Sequence, residues 1–330
     1  MTTSRPYTLM TVHAHPDDET IGTGGLMAKS VRAGHRVVLV TCTRGEQGDI
    51  VVPEMDTPDN HRRLGEIRAA ELEAAMGELG ITEWENLGYR DSDMMGRAGN
   101  NDPRCFWQAD LDEAARRLTW LVRRYRPDVM TTYNDFGGYG HPDHIRTHDV
   151  SVRAFDRAGD PAWYPEQLAP EFGGTGRAAG ALGGTGESGG TGPAWADGGL
   201  APWSPIKLYE QAIPASVRNA MRDRMDAIGE ESFWSEPKDA SPEEIAAFQE
   251  RMSKMLVPDE TITTWIDVSE VLDRKWAAIW KHVTQMSPAS PFLRFGKDAW
   301  HEFWPKEAYV LRESRVTAPT PETDVFAGLS

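Results

Sequence analysis

At 330 residues the chain is long enough for two domains, or one large domain with an appendage, around a sizeable buried core. Its 39% apolar and 26% charged residues exclude a disordered chain and a membrane bundle, and no apolar run nears the roughly 18 residues that span a bilayer. A formal net charge of −16 argues against nucleic-acid or anionic-membrane partners, and only two cysteines, Cys42 and Cys105, rule out a disulfide framework.

The first ten residues, MTTSRPYTLM, lack the apolar core of a signal peptide, so a reducing cytoplasm is the expected location. Residues 7–12 (YTLMTV), 36–41 (RVVLVT) and 128–133 (DVMTTY) are apolar without clean alternation, as strands covered on both faces should be. Between them, helical spacing runs over residues 20–33, 64–79 and 111–125. In the last of these Leu111, Ala114, Leu118, Leu121, Val122 and Tyr125 share one face. This alternation predicts an α/β fold over residues 1–170. The expected form is a Rossmann-like, mostly parallel sheet with helices on both faces.

Residues 171–200 differ. They hold three GGTG repeats and 12 of the 31 glycines, too little apolar surface to offset their ordering entropy. A flexible surface insertion is expected there, and a lid over an active site is the functional alternative. Residues 201–330 read as a smaller C-terminal cap packed on the core. Strands are predicted at 207–211 and 261–268, helices at 215–228 and 271–283, and an irregular proline-rich stretch at 316–323.

The chemistry concentrates in two loops. His13-Ala14-His15-Pro16-Asp17-Asp18-Glu19 follows the first strand, and Gly137-Gly138-Tyr139-Gly140-His141-Pro142-Asp143-His144 follows residues 128–133. Parallel sheets bind ligands at the carboxyl ends of their strands, so the two loops can meet in one crevice. They supply His15, Asp17, Asp18, His141, Asp143 and His144. A hydrolytic metal needs about three protein ligands and an open position, and His15, Asp18 and His144 would provide a His/Asp/His set. Taken singly, Asp17 or Asp18 reads as a helix cap. Asp17, adjacent to Asp18, can serve as a base toward a bound water. A protonated His141 can steady an oxyanion and protonate a leaving amine, with Asp143 orienting its ring. The same donor set also serves non-haem iron oxygenases.

No nucleophile elbow or Walker loop is present, and Met27 stands where a dinucleotide fingerprint needs its last glycine. Arg68 and Glu71 fall in the middle of the apolar side of the helix at 64–79. Either they pair at i, i+3, or Arg68 reaches the crevice rim and binds a polar substrate. His282 reads as a helix C-terminal cap or as a cleft contact. Trp203, Trp234, Trp280, Trp300 and Trp304 are candidates to line a cap.

The two motifs together closely resemble those of the LmbE/PIG-L-type zinc deacetylases, which remove acyl groups from N-acyl glucosamines on a Rossmann-like fold. The resemblance implies Zn2+ on His15, Asp18 and His144, with Fe2+ as a cellular alternative. It implies Asp17 as general base, His141 as oxyanion and acid residue, and Tyr139 as a mobile residue that helps polarise the carbonyl. Glu46, Arg68, Asp91 and His282 match further family positions and are expected to bind substrate, a small-molecule glucosaminyl-inositol thiol conjugate. Residues 52–59 and the tail through Phe326-Ala327-Gly328 look more like the mycothiol S-conjugate amidase branch than the N-acetylglucosaminyl-inositol deacetylase branch. Against that, Gly22 stands where such amidases often carry a lysine. A catalytically silent sugar-binding protein is the alternative from another class.

Overall fold

The three apolar runs become central strands: β1 (Thr8–His13), β2 (Arg36–Thr41) and β4 (Val129–Thr132). A computed structural model describes residues 5–169, 199–227, 229, 235–236, 240–290 and 293–330. In it an eight-stranded sheet runs β3-β2-β1-β4-β5-β8-β7. The other strands are β3 (Glu83–Asn86), β5 (Lys207–Pro214), β7 (Thr264–Asp267), β8 (Lys306–Ser314) and β6 (Leu256–Val257), which pairs with the end of β5. β1 to β5 are mutually parallel where they pair, and β8 runs antiparallel to both β5 and β7.

The helices that matter for the site are, in chain order, α1 (Asp18–Gly22), α2 (Gly24–Arg32), α3 (Pro58–Arg62), α4 (Leu64–Leu79), α5 (Leu111–Tyr125), α6 (Gly137–Gly140) and α7 (Pro142–Arg157). They are followed by α8 (Ala215–Ala227), α9 (Pro242–Met255), α10 (Leu272–Ile279) and α11 (Gly296–Phe303). The two-residue period of a strand sends Leu9, Leu39 and Val129 to one face, against Leu26, Leu72, Met76 and Leu272 of α2, α4 and α10. Met10, Val38, Val40 and Met130 face Leu118, Val122, Val150 and Phe155 of α5 and α7. The sheet is thus covered on both faces, as the apolar runs implied.

Three expectations change. The helix over residues 20–33 breaks at Thr23 (φ −135°, ψ 5°) into α1 and α2. The Glu307 carboxylate accepts the Gly25 and Leu26 amides at 2.8 Å each, so a new helix N-terminus is satisfied there. β3 and β8 were not predicted. β3 is a half-buried edge strand of sequence EWEN, and the ends of β8 carry exposed charges, so neither shows an apolar run. Residues 201–330 were expected as a cap, but they supply β5, β7 and β8 and complete the sheet. Within them α8 and α9 add a small core of Met221, Phe248, Met252 and Met255. The GGTG repeats lie outside the described residues.

The chain lays down β2 and β3 on one side of β1 and returns to place β4 on the other. β1 and β4 are therefore neighbours whose following loops leave in different directions, the arrangement that opens a crevice at the carboxyl end of a parallel sheet.

Candidate active site

Beyond β1 the chain turns through Pro16 and Asp17 into α1. Asp17 has φ 115° and ψ −36°, a backbone conformation that non-glycine residues rarely adopt. Its amide donates to Glu19 Oε2 at 2.8 Å, and its carbonyl accepts from the Thr20 amide (3.1 Å) and hydroxyl (2.8 Å). The two adjacent carboxylates consequently have different partners. Asp18 Oδ2 accepts the His15 amide (3.0 Å) and the Tyr133 hydroxyl (2.9 Å), whereas Asp17 Oδ1 lies 3.1 Å from Arg68 Nη2.

Beyond β4, Tyr133 stacks on His144 with ring centroids 4.2 Å apart. The α6 turn places Tyr139 between Gly138 (φ 70°) and Gly140 (φ 93°), conformations that favour glycine, and leaves Tyr139 exposed. His141 caps α7: its Nδ1 accepts the Asp143 amide at 3.1 Å, and Pro142 occupies the first helical turn. The cap places Asp143 and His144 in the first turn of α7, where they reach His15. The ring of His15 lies 4.6 Å from that of His141 and 5.3 Å from that of His144.

His15 Nδ1 and His144 Nε2 lie 3.3 and 3.2 Å from the same Asp18 oxygen. Ligand atoms around a tetrahedral ion with bonds of about 2.0–2.1 Å stand about 3.3 Å apart, so the spacing suits a metal. His144 is 2% exposed; its Nε2 faces the Asp18 oxygen outside hydrogen-bond geometry, and among the described residues neither ring nitrogen has a hydrogen-bond partner. A buried imidazole left in that state fits a missing cation better than any protein contact. Among the described residues, two overlapping groups have donor atoms close enough to hold an ion: His15, His141 and His144, and His15, Asp91, His141 and Asp143.

The electrostatics separate the carboxylates. Burial pushes Asp17 up to about 6, with Arg68 opposing and Asp18 adding to the rise. Burial would also raise Asp18, but His144 and His15 hold it well below the usual carboxylate range. Burial and the neighbouring His15 and His144 rings push His141 down. The expectation of a protonated His141 is therefore corrected: with Nδ1 accepting a backbone N–H, the neutral ring carries its proton on Nε2.

Other expectations also shift. The Asp143 carboxylate does not orient His141; its Oδ2 lies 3.1 Å from His15 Nε2, and only its backbone amide reaches His141. Arg68 and Glu71 do not pair. Arg68, 3% exposed, donates to Gly45 O (3.0 Å) and Pro16 O and contacts Asp17, while Glu71 accepts the Thr284 amide and hydroxyl at 2.7 and 2.8 Å. Gly45 makes this possible, because a Cβ there would lie 2.1 Å from Arg68 Nη1. Arg68 is thus part of the wall behind the catalytic loop and not of a rim.

His282 is fully buried on Glu19, with Nε2 2.9 Å from Oε1, so it is neither a helix cap nor a cleft contact. Glu46 accepts the Asp91 amide at 3.0 Å, and Asp91 accepts the Gln47 amide at 3.2 Å, which clasps the loops after β2 and β3. Asp91 Oδ1 also lies 3.7 Å from His15 Nε2.

Sequence reasoning gave no role to Tyr133, Ser92 or Glu19, although Glu19 closes the first motif and Ser92 follows Asp91 at a position that matches the family. Ser92 binds both oxygens of Asp143, through its amide at 2.9 Å and through its hydroxyl. Tyr133 ends a predicted strand at the crevice side, which was the available signal.

A crevice with two imidazoles, a carboxylate set for a metal and a second carboxylate poised near neutrality defines a hydrolase that acts on an amide C–N bond. The sequence profile of the GlcNAc-PI de-N-acetylase (PIG-L) family matches residues 10–155, and the chain belongs to that family. A relative from Geodermatophilus obscurus, named 1D-myo-inositol 2-acetamido-2-deoxy-alpha-D-glucopyranoside deacetylase, is 39% identical over 100% of this chain and 99% of its own length. One of the same name from Acidothermus cellulolyticus is 36% identical over 97% of this chain and 94% of its own. The N,N'-diacetylchitobiose deacetylase of Pyrococcus horikoshii shares the fold, with a TM-score of 0.56 at 18% identity, covering 92% of this chain and 83% of that one. Among the described residues, no helix is long and apolar enough to cross a membrane.

Proposed function

We propose that this enzyme removes the acetyl group from an N-acetylglucosaminyl-inositol. The observation that carries the chemistry is that Asp17 stands beside a His/Asp/His set yet has partners of its own. The acyl group is read from the relatives, which are named as deacetylases over nearly their full length. This replaces the amidase reading suggested by the tail. Gly22 agrees with it, because amidases of this type often carry a lysine near that position.

His15, Asp18 and His144 would hold zinc, with ferrous iron as the other ion this set accepts. When bound, the ion supplies Lewis-acid polarisation of the acyl carbonyl and acidifies the attacking water. Asp17, raised toward neutrality by burial, takes the proton of that water. His141 donates from Nε2 to the carbonyl oxygen as negative charge builds there. The Asp17 carboxyl then returns its proton to the glucosamine nitrogen as the C–N bond breaks, leaving acetate and a free amine. Tyr139, on its glycine-flanked turn, can close over the acyl oxygen.

The test compares kcat/KM of zinc-loaded enzyme on N-acetylglucosaminyl-inositol and on an S-substituted mycothiol adduct. The acetylated sugar is expected to win by at least about tenfold, the scale of discrimination a pocket of fixed size achieves. The reverse order would restore the amidase reading. Hydrolysis of neither, with zinc bound, would leave a sugar-binding protein.

A further inference from the structure

Asp17 is held by a neighbour that no step of the reaction uses. Glu19 is fully buried and divides its carboxylate, Oε2 accepting the Asp17 amide at 2.8 Å and Oε1 standing 2.9 Å from His282 Nε2. His282 is fully buried as well, and among the described residues its Nδ1 has no hydrogen-bond partner. A buried ion pair of this kind adds little net stability over apolar packing, so stability alone does not account for it. It meets the crevice at the strained backbone of Asp17.

The contacts close a ring. α4 holds the Asp17 side chain through Arg68 and, through Glu71, holds Thr284, two residues beyond His282. His282 returns through Glu19 to the Asp17 amide. Both ends of Asp17, backbone and carboxylate, are thereby referred to the same helix.

We propose that Glu19 and His282 are a positioning pair that fixes the backbone of Asp17 and so aims its carboxylate at the attacking water. The inference rests on the reading of Asp17 as the base. Neither residue touches substrate.

The test uses zinc-loaded enzyme. Glu19→Ala should lower kcat by about 10–100-fold, the usual effect of losing an orienting partner, with zinc content unchanged and KM within about twofold. Hydrogen exchange of the peptide containing Asp17 should quicken. Glu19→Gln should keep kcat within about threefold. Its amide oxygen can accept the Asp17 N–H while its NH2 donates to His282 Nε2, the ring proton moving to Nδ1.

On an Asp17→Asn background, Glu19→Ala should cost less than a further threefold or so, because groups acting as a unit are not additive. Full additivity there, or a raised KM with unchanged kcat, would overturn the pair. If Glu19→Ala does not fold, His282→Phe, which removes the bond and keeps the volume, carries the same expectations. Unchanged kcat in Asp17→Asn itself would instead sink the reading of Asp17 as base, an outcome separate from any effect at Glu19.

Discussion

Oδ2 of Asp143 lies 3.1 Å from Nε2 of His15, joining two residues 128 positions apart in the chain. The other ring nitrogen of His15 faces Asp18, and Ser92 binds both oxygens of Asp143. A carboxylate that grips one nitrogen of an imidazole fixes its tautomer and leaves the other nitrogen for an ion.

It follows that Asp143→Asn should weaken zinc binding by about 10–100-fold, with Ser92→Ala acting in the same direction to a smaller extent. Competition with a chromogenic chelator measures this directly. Wild-type zinc affinity in Asp143→Asn would show that the contact does not support the ion.

The pH dependence follows from Asp17, which burial raises to about 6 against the pull of Arg68. A base works ionised, so kcat/KM should rise with pH through that value. A nearby dication can only lower it, which puts the acid limb at or below about 6. Asp17→Asn should remove the limb, keep the metal and lower kcat by about 10²–10⁴-fold, whereas Asp18→Ala should lose the metal. An acid limb centred well above 7, or one that survives Asp17→Asn, would assign it to another group.

Arg68→Ala should act on catalysis more than on binding. Its guanidinium holds Gly45 O, Pro16 O and Asp17, so its loss frees the base and leaves buried carbonyls unpaired. A kcat loss of about 10–100-fold with KM little changed is expected, together with destabilisation of about 1–3 kcal/mol. Steady-state kinetics and a melting curve separate these effects. A raised KM at constant kcat would return Arg68 to the substrate.

Replacing residues 173–199 by a short Gly/Ser linker should change the melting temperature by only a few degrees. The two ends already meet, with the Leu200 amide donating to Gln167 O at 3.2 Å. Loop-closure entropy is also a weak function of length, about 0.6 kcal/mol per doubling. A large rise in KM with unchanged melting would make the segment a lid.

Much of the framework was legible. The runs at β1, β2 and β4 are apolar because both faces of a parallel sheet are covered. The bounds of α4 and α5 followed from their spacing, and in the structure Gly80 and Arg126 end them in left-handed conformations. The edge strand β3 escaped because Glu83 and Glu85 point to partners such as Arg36 and Tyr125, so its pattern is polar. β8 escaped because it is amphipathic only at its centre.

By itself the sequence determined that two His/Asp loops follow strands of a parallel sheet, and hence where a metal site was to be expected; the hydrolase reading came from the family resemblance. That information is local: each motif adjoins its own strand, and the sheet does the rest. Only the tertiary structure decided what each side chain does within the site. Asp17 and Asp18 are adjacent and chemically alike, and they part company because Arg68 and Glu19 hold one while Tyr133, His15 and His144 surround the other. Arg68 could be read as charged on an apolar face, but its partners come from the loops after β1 and β2, while His282 meets Glu19 and Asp143 meets His15 across more than 100 positions of the chain. Hydrogen-bonding direction and burial set a carboxylate's or an imidazole's role, and both are properties of the assembled fold.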